Sequence, residues 1–167
     1  MGNEVADRLA KAGADSATLG PEPLVPVPRS VNKHYITEWG TRTHQNNWEE
    51  RPDCRQTKIF IPKINSKMTS NITDMNKQNI RLLTQMITGH AKLNRHKYLM
   101  GMEDSPTCPK CGEGDETPHH MLTDCPAYGR LRKETFNKHN ITTDDIPFLN
   151  GKDIVRFARQ TGRWSDR

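Results

Sequence analysis

The sequence predicts a mainly α-helical protein in which short helices surround small apolar clusters. Only 32% of the 167 residues are hydrophobic and 6% are aromatic, and the mean hydropathy is −0.89. This composition leaves too little apolar material for one large core. Where apolar residues recur, their spacing is that of amphipathic helices. Three of the four cysteines fall within residues 108–125, which is typical of a small domain that needs more than its core for stability.

The N-terminal part contains two predicted helices separated by a proline-rich segment. Residues 2–14 form the first helix, with apolar side chains on one side. Four prolines within residues 20–28 then predict an extended, stiff linker. Ser30 is expected to cap a second helix over residues 31–50. Residues 51–70 show no regular pattern and are predicted to be irregular.

The most regular helical pattern follows, near residues 74–88. Ile80 and Leu83 belong to its apolar side, Asp74 is expected to cap its start, and Gly89 is expected to end it. Further helices are predicted over residues 91–100, 126–138 and 153–160, with a turn at 144–147.

Cysteine and histidine residues between positions 108 and 125 are spaced as metal ligands. Cys108, Cys111, His120 and Cys125 form the pattern C-x2-C-x8-H-x4-C. Three thiols and one imidazole are the ligand set of a structural zinc site. Two cysteines two residues apart can hold one ion from a tight turn, and Gly112 favours such a turn. The sequence therefore predicts Zn²⁺ as a cofactor.

Two adjacent histidines compete for the third ligand position. Neighbouring helical residues point about 100° apart, so only one of His119 and His120 can face the ion. Thr117 is predicted to cap this helix and Pro118 to occupy its first position. His120 then lies about one helical turn before Cys125. We predict His120 as the ligand, and His119 as an exposed neighbour or a group that supports the ligands.

Two other interpretations of the cysteines remain open at the level of sequence. A disulfide would leave one of the three clustered thiols over, and the N-terminus carries no apolar signal segment. Alternatively, the thiols are unrelated buried side chains that share no metal ion. The fourth cysteine, Cys54, has no Cys or His at ligand spacing and is expected to be free. Reduced cysteines predict a location in the nucleus, the cytoplasm or both.

The charge of the chain indicates the class of its partner. The net charge is +5 and the pI is about 9.1, which suits a polyanion such as RNA or DNA. No apolar run approaches the length of a membrane span. We therefore expect a soluble protein with no membrane partner and no small-molecule substrate.

Two segments resemble one family of proteins. Residues 2–14, GNEVADRLAKAGA, resemble the final motif of type-1 ribonuclease H domains, an Asn-Glu-x-x-Asp-x-Leu-Ala helix. Residues 87–132, from ITGHAKLNRHKYL to TDCPAYGRLR, are similar to the C-terminal region of polyproteins from insect-type non-LTR retrotransposons. In that family a reverse transcriptase, a ribonuclease H, a proline-containing linker, a helical region and a Cys-Cys-His-Cys knuckle follow in order. The resemblance also places the histidine ligand at His120.

The same resemblance places Asp7 at the last metal-binding carboxylate of a ribonuclease H. Such a site needs several carboxylates to hold two ions about 4 Å apart, and the elements that carry the others are expected upstream of Gly2. We therefore expect no catalysis by this chain, which would be a C-terminal fragment with Asp7 as a remnant. Alternatively, residues 2–14 are an ordinary amphipathic helix, since short motifs match by chance.

The loop inside the knuckle, residues 108–125, is predicted to be a poor surface for nucleic acid. It carries no aromatic residue between Cys111 and His120, and Glu113, Asp115 and Glu116 would repel phosphates. We predict instead that zinc holds two basic flanking helices together and that these contact RNA or DNA. The predicted contact residues are Lys92, Arg95, Lys97, Tyr98, Tyr128, Arg130, Arg132 and Lys133. The alternative is a charged face that is merely solvated.

These observations divide the chain into five segments and leave two functions. The segments are a ribonuclease H remnant (1–15), the proline-rich linker (16–29), a helix with an irregular stretch (30–70), a helical region enclosing the knuckle (71–140), and a C-terminal helix and tail (141–167). One function is binding of nucleic acid. The other is a zinc-stabilised helical module that contacts protein, such as the polymerase of the same polyprotein. The salt dependence of RNA binding separates the two.

Overall fold

Helices and turns make up the described parts of the chain, residues 2–15, 26–64 and 72–164 of a computed structural model. The helices are α1 (Gly2–Asp15), α2 (Arg29–Glu50), α3 (Arg55–Phe60), α4 (Lys77–Thr88), α5 (Asn94–Leu99), α6 (Pro118–Leu122), α7 (Gly129–Phe136) and α8 (Gly151–Gln160). Two 3-10 turns, Pro126–Tyr128 and Thr143–Phe148, precede α7 and α8. Within these ranges the extended pairing is limited to an isolated bridge between Thr107 and Asp115. The predicted mainly helical class is confirmed.

The chain divides into two units, Met1–Gly40 and Thr41–Arg167. In the first unit, α1 buries no residue. The large side chains on the part of α2 that belongs to this unit are also exposed. Tyr35, Ile36 and Trp39 are 63%, 67% and 66% exposed. The predicted linker lies largely outside the described residues, which resume at position 26. No described helix is long and apolar enough to cross a bilayer.

The second unit is built around an apolar core in which α4 packs against α8. Leu83 and Met86 of α4 and Phe157 of α8 are fully buried, and each such side chain stabilises the fold by roughly 1.5–3 kcal/mol. Gly151 allows the close approach of the two helices, because a Cβ there would lie 3.1 Å from Leu83 Cδ2. The same core includes Cys108 and Cys125. The thiols therefore belong to the packing of the whole unit.

The start of α4 differs from its prediction. The cap is Asn76 and not Asp74: the Asn76 backbone is extended, and its Oδ1 accepts a hydrogen bond from Asn79 N at 2.9 Å. This bond satisfies one of the free N–H groups of the first turn. The predicted end is confirmed, since Gly89 takes a left-handed φ of 77° and donates its N–H to Gln85 O.

A short helix, α3, lies within the segment that was predicted to be irregular. A six-residue helix has little stability by itself, which is why the local pattern did not indicate it. The helix packs against α4 and the Thr143–Phe148 turn, and its Phe60 is only 2% exposed. Tertiary packing therefore stabilises α3.

The last two helices lie close to their predicted positions. The segment predicted as a helix from 126 begins as the 3-10 turn, and α7 ends at Phe136 because Asn137 adopts a left-handed φ of 57°. The last helix starts two residues before its predicted start. Asn150 caps it by accepting a hydrogen bond from Lys152 N.

Candidate metal centre

The first two cysteines lie on a tight turn of the backbone. Gly112 N donates to Cys108 O at 2.9 Å, and Cys108 N donates to Gly114 O at 2.7 Å. Gly112 has a φ of 73°, a conformation that costs glycine little, as the turn prediction required. Glu113 N donates to Cys111 Sγ at 3.5 Å, and this bond lowers the pKa of the Cys111 thiol.

The third member of the cluster is held by α6. Thr117 caps this helix by accepting a hydrogen bond from His120 N, and Pro118 stands at its first position, as predicted. The His120 ring is buried, and its Nε2 lies 3.3 Å from Cys111 Sγ. His119 turns away, with its Nε2 hydrogen-bonded to Thr143 Oγ1 at 2.8 Å. Of the two histidines, only His120 faces the thiols.

Cys125 completes the cluster from the end of the α6 turn. Its N–H donates to His120 O at 2.8 Å, and its Sγ lies 3.9 Å from Cys108 Sγ. Burial raises the pKa of the Cys125 thiol to about 12. A thiol in this position becomes a thiolate only with strong electrostatic help, such as a metal cation supplies.

The four donor atoms lie close enough together to share one ion. The ligand atoms of Cys108, Cys111, His120 and Cys125 all lie within 4.8 Å of one another. A zinc ion with bonds of about 2.3 Å to sulfur and about 2.0 Å to nitrogen separates two sulfurs by about 3.8 Å, and a sulfur from a nitrogen by about 3.5 Å. The distances of 3.9 and 3.3 Å given above agree with these to a few tenths of an ångström. The cluster can hold a metal ion.

The remaining sulfur interpretations are not supported by this geometry. All four cysteines are free thiols, and Cys54 is exposed and outside the cluster. A disulfide requires a sulfur–sulfur distance of about 2.05 Å, which the buried pair does not have. Among the described residues, this cluster is the group of three or more His, Cys, Asp or Glu side chains placed to share an ion. Asp7 is not a member of this cluster; it is exposed and ion-paired with Lys11 at 3.0 Å.

The acidic loop of the knuckle is largely neutralised by its surroundings. Glu116 is fully buried: Arg163 Nε lies 2.6 Å from its Oε1, and Arg163 Nη2 donates to its Oε2 at 2.7 Å. Asn94 N also donates to Glu116 Oε2 at 2.7 Å. Asp115 pairs with Arg95 at 3.0 Å. The expectation that these carboxylates repel phosphates is therefore corrected for Glu116, whereas Glu113 and the ion-paired Asp115 are exposed.

On the N-terminal flank, the predicted contact residues lie at the surface beside α5. Lys92 is exposed, and Arg95 is partly exposed beside its partner Asp115. Lys97 pairs with Glu103 at 2.8 Å, with a third of its side chain still accessible, and Tyr98 is 45% exposed. The hydrogen bond from Lys97 lowers the pKa of the Glu103 carboxyl.

On the C-terminal flank, two of the predicted contact residues are buried, and the prediction is wrong for them. Tyr128 and Arg132 are buried, at 5% and 3% exposure, so neither can stack on a base or meet a phosphate. Burial raises the pKa of Tyr128 and lowers that of Arg132. Arg130 and Lys133 are exposed as expected, and Arg130 pairs with Glu134 at 2.8 Å. Of the four contact residues predicted on this flank, Arg130 and Lys133 are therefore the accessible ones.

Two structural features of the site were missed from the sequence. The Glu116–Arg163 pair joins residues 47 positions apart, a separation at which no local pattern signals contact. Gly114 lies against the His120 ring, and a Cβ there would lie 3.2 Å from its Cε1. The sequence signal for this contact was the presence of a glycine within the predicted metal-binding motif.

Two curated proteins are similar to most of the chain. One is a retrovirus-related Pol polyprotein from the type-1 retrotransposable element R1 4 of Nasonia vitripennis, 24% identical over 123 residues, which are 72% of this chain and 30% of that protein. The other is the corresponding polyprotein of element R1 from Bradysia coprophila, 26% identical over 71% of this chain and 11% of that protein. No family model and no solved structure matches. The chain thus spans less than a third of either relative, and the similarity supports a region of a non-LTR retrotransposon polyprotein.

Proposed function

We propose that this chain is a zinc-stabilised, non-catalytic region of a retrotransposon polyprotein that binds RNA or DNA through the basic surface on α5. We define the α5 surface as Lys92, Arg95, Lys97 and Tyr98. The observation that carries the proposal is the Cys-Cys-His-Cys cluster, because its loop is bonded directly to α5. Retrotransposon polyproteins must bind nucleic acid, and a positively charged surface would serve this purpose.

Zinc is the metal that the donor set favours. Three sulfurs and one imidazole nitrogen in a tetrahedral arrangement suit Zn²⁺, whereas Mg²⁺ and Ca²⁺ prefer oxygen ligands. When bound, the ion would supply cross-linking of the turn, α6 and Cys125, with no open position for a reaction. Its role in this proposal is structural.

The knuckle orients the α5 surface through several direct contacts. Asn94 N donates to the buried Glu116, and Asn94 Nδ2 donates to Thr107 O at 3.0 Å. Arg95 pairs with Asp115 within the loop. Since α5 has only six residues and such a helix is marginal alone, these bonds hold it in place. The zinc cluster therefore supports the contact surface without forming it.

The α5 surface combines the two chemistries that nucleic acid requires. Its cationic side chains suit phosphates, and the exposed Tyr98 ring suits stacking on an unpaired base. Beside it, His90 and His96 pack edge to face with ring centroids 5.2 Å apart. Both histidines and Arg95 line an open cavity of about 220 Å³, which offers polar partners for a base or phosphate.

The proposal gives the chain no catalytic role of its own. Asp7 is an exposed carboxylate paired with Lys11, and hydrolysis of the ribonuclease H type needs several carboxylates around two ions. Residues 1–15 are then a remnant of a ribonuclease H domain, as the sequence resemblance implies.

Replacement of three α5 cations tests the binding surface. We expect Lys92→Ala/Arg95→Ala/Lys97→Ala to weaken binding to single-stranded RNA or DNA roughly tenfold or more, and to reduce the salt slope by about 2, since each lost phosphate contact removes about 0.7. Fluorescence anisotropy across a salt series measures both quantities.

A matched control removes the same charge from another part of the second unit. Lys77, Arg81 and Lys152 are exposed on α4 and α8, and their triple alanine variant should bind as the wild type does. Equal affinity of the two triple variants would contradict the assignment to α5. A melting curve of each variant checks that loss of the Arg95–Asp115 ion pair has not destabilised the fold.

A second candidate function is contact with protein, such as the polymerase of the same polyprotein. Leu99, Met100 and Met102 follow the α5 surface and are 65%, 58% and 69% exposed, which favours an apolar partner. The salt series separates the candidates, because a protein-contact module should show no affinity for RNA that falls with salt.

A further inference from the structure

Arg132 is a charged side chain placed inside the protein. It lies on α7, seven residues after Cys125, and is 3% exposed. A buried charge is costly unless an opposite charge or a full set of hydrogen bonds accompanies it. The position of this guanidinium therefore requires a partner.

Within the described part of the chain, the hydrogen bonds of Arg132 go to backbone carbonyls. Nη1 donates to Met121 O at 3.1 Å and to Cys125 O at 2.8 Å, and Nε donates to His139 O at 2.9 Å. Among the described residues, no carboxylate lies within ion-pair distance of it. Asp124, the acid next to the cluster, is 67% exposed and accepts a bond from Thr123 Oγ1.

The other deeply buried charge of the unit has its own partner. Glu116 is paired with Arg163, so that cluster is neutral. Arg132 therefore differs from Arg163 in that no described carboxylate forms a direct ion pair with it, and the attraction of Asp124 acts at longer range. What remains near it is the sulfur cluster, to which it is joined through the Cys125 carbonyl.

The metal centre carries the missing negative charge. A divalent zinc ion with three thiolates and one neutral imidazole has a formal charge of roughly −1. We propose that Arg132 is the counter-charge of this centre and positions Cys125, so that metal and guanidinium are neutralised together. This inference rests on the proposed zinc site. Without the metal, the protein buries an unpaired cation, and without Arg132, the loaded centre buries an unpaired anion.

The full-length chain tests this with two substitutions at one position. Arg132→Lys keeps the charge but loses the planar fork, and Arg132→Gln loses both. Zn²⁺ affinity is measured by competition with a chromophoric chelator, and thermal stability is measured with and without zinc. The control is Arg130→Gln, on the same helix and exposed.

We expect Arg132→Gln to lower zinc affinity by about 10- to 100-fold, as loss of groups that support metal ligands does. Arg132→Lys should recover most of this loss, and Arg130→Gln should match the wild type. The zinc-induced rise in Tm should also be smaller for Arg132→Gln than for the other chains.

Three results would overturn the proposal. Equal losses of stability with and without zinc, at unchanged affinity, would assign Arg132 a purely packing role. If Arg132→Gln does not fold, a loss of more than about tenfold in zinc affinity for Arg132→Lys would refute the charge argument. A wild-type chain that does not bind zinc would refute the proposed metal site as well as the role of Arg132. The three results therefore point to different failures.

Discussion

At the scale of single residues, the position of the His120 ring depends on its neighbour Gly114. The ring Cε1 and Nδ1 lie 3.2 and 3.3 Å from the place where a Cβ would stand on Gly114. Contacts this short are tighter than most real Cβ contacts, so a side chain here would require the imidazole to shift by a few tenths of an ångström. His120 Nε2 must point to Cys111 to complete the cluster. The absence of a side chain at 114 thus leaves room for the imidazole in the position that faces Cys111.

Substitution of Gly114 should weaken the metal site. We expect Gly114→Ala to lower zinc affinity by roughly tenfold, because ligands displaced by a few tenths of an ångström bind less well. Chelator competition measures this, and Gly40→Ala, where nothing lies within 4 Å, is the control. Unchanged zinc affinity in Gly114→Ala would show that the ring can shift without loss.

At the scale of elements, the Thr143–Phe148 turn is held by a capping box. Asp145 Oδ2 accepts hydrogen bonds from Thr142 N at 3.0 Å and Thr142 Oγ1 at 3.1 Å, and Lys138 Nζ donates to Asp145 Oδ1 at 2.7 Å. The Lys138 bond and then the Thr142 bonds lower the pKa of Asp145 to about 2. This turn packs against α3. The cap therefore helps to stabilise α3, a helix that its local sequence alone does not stabilise.

The pKa of Asp145 gives a pH-dependent prediction. Because the folded pKa lies below the unfolded value of about 3.9, the ionised carboxylate stabilises the fold above about pH 4, and this stabilisation is lost as pH falls towards 2. Asp145→Asn should therefore be less stable than the wild type near pH 6, and the difference should shrink between about pH 4 and pH 2.

Urea unfolding of both chains across this pH range measures the difference, and effects common to both cancel. Asp144→Asn removes a neighbouring exposed carboxylate as the control. A difference that stays constant down to pH 2 would mean that the charge of Asp145 is not what stabilises the turn.

At the scale of the whole molecule, the Cys-Cys-His-Cys cluster is part of the core of the second unit. Cys108 and Cys125 are fully buried in the same cluster as Met121 and Leu122. Tyr128 packs edge to face on Phe157 of α8, with ring centroids 6.0 Å apart. Loss of the proposed ion should therefore disturb α8 as well as the knuckle.

Removal of a ligand should destabilise the whole second unit. We expect Cys108→Ser, or a strong chelator, to lower Tm by more than about 10 °C, since a loss of about 3 kcal/mol has this effect in a domain of this size. Cys54→Ser, which changes an exposed thiol outside the cluster, should leave Tm unchanged. Far-UV circular dichroism during heating and elemental analysis for zinc provide the measurements.

The sequence by itself determined the features that depend on short-range spacing. The helical class, the Thr117 cap, the stop at Gly89 and the grouping of the four metal ligands all follow from residues within about twenty positions of one another. Helical and turn geometry relates such residues directly, because the backbone between them has few conformations. The preference for His120 over His119 is of the same kind, and the structure places the two rings accordingly.

Only the tertiary structure decided which charged side chains are available. Arg130 and Arg132 stand two positions apart on one helix, yet the first is 92% exposed at its side chain and the second is buried. Helical positions two apart point in different directions, but which direction is inside depends on the packing of α7 against α8 and the knuckle. Glu116 likewise changed from a repelling acid to the partner of Arg163. Burial is a property of distant contacts, and local spacing does not contain it.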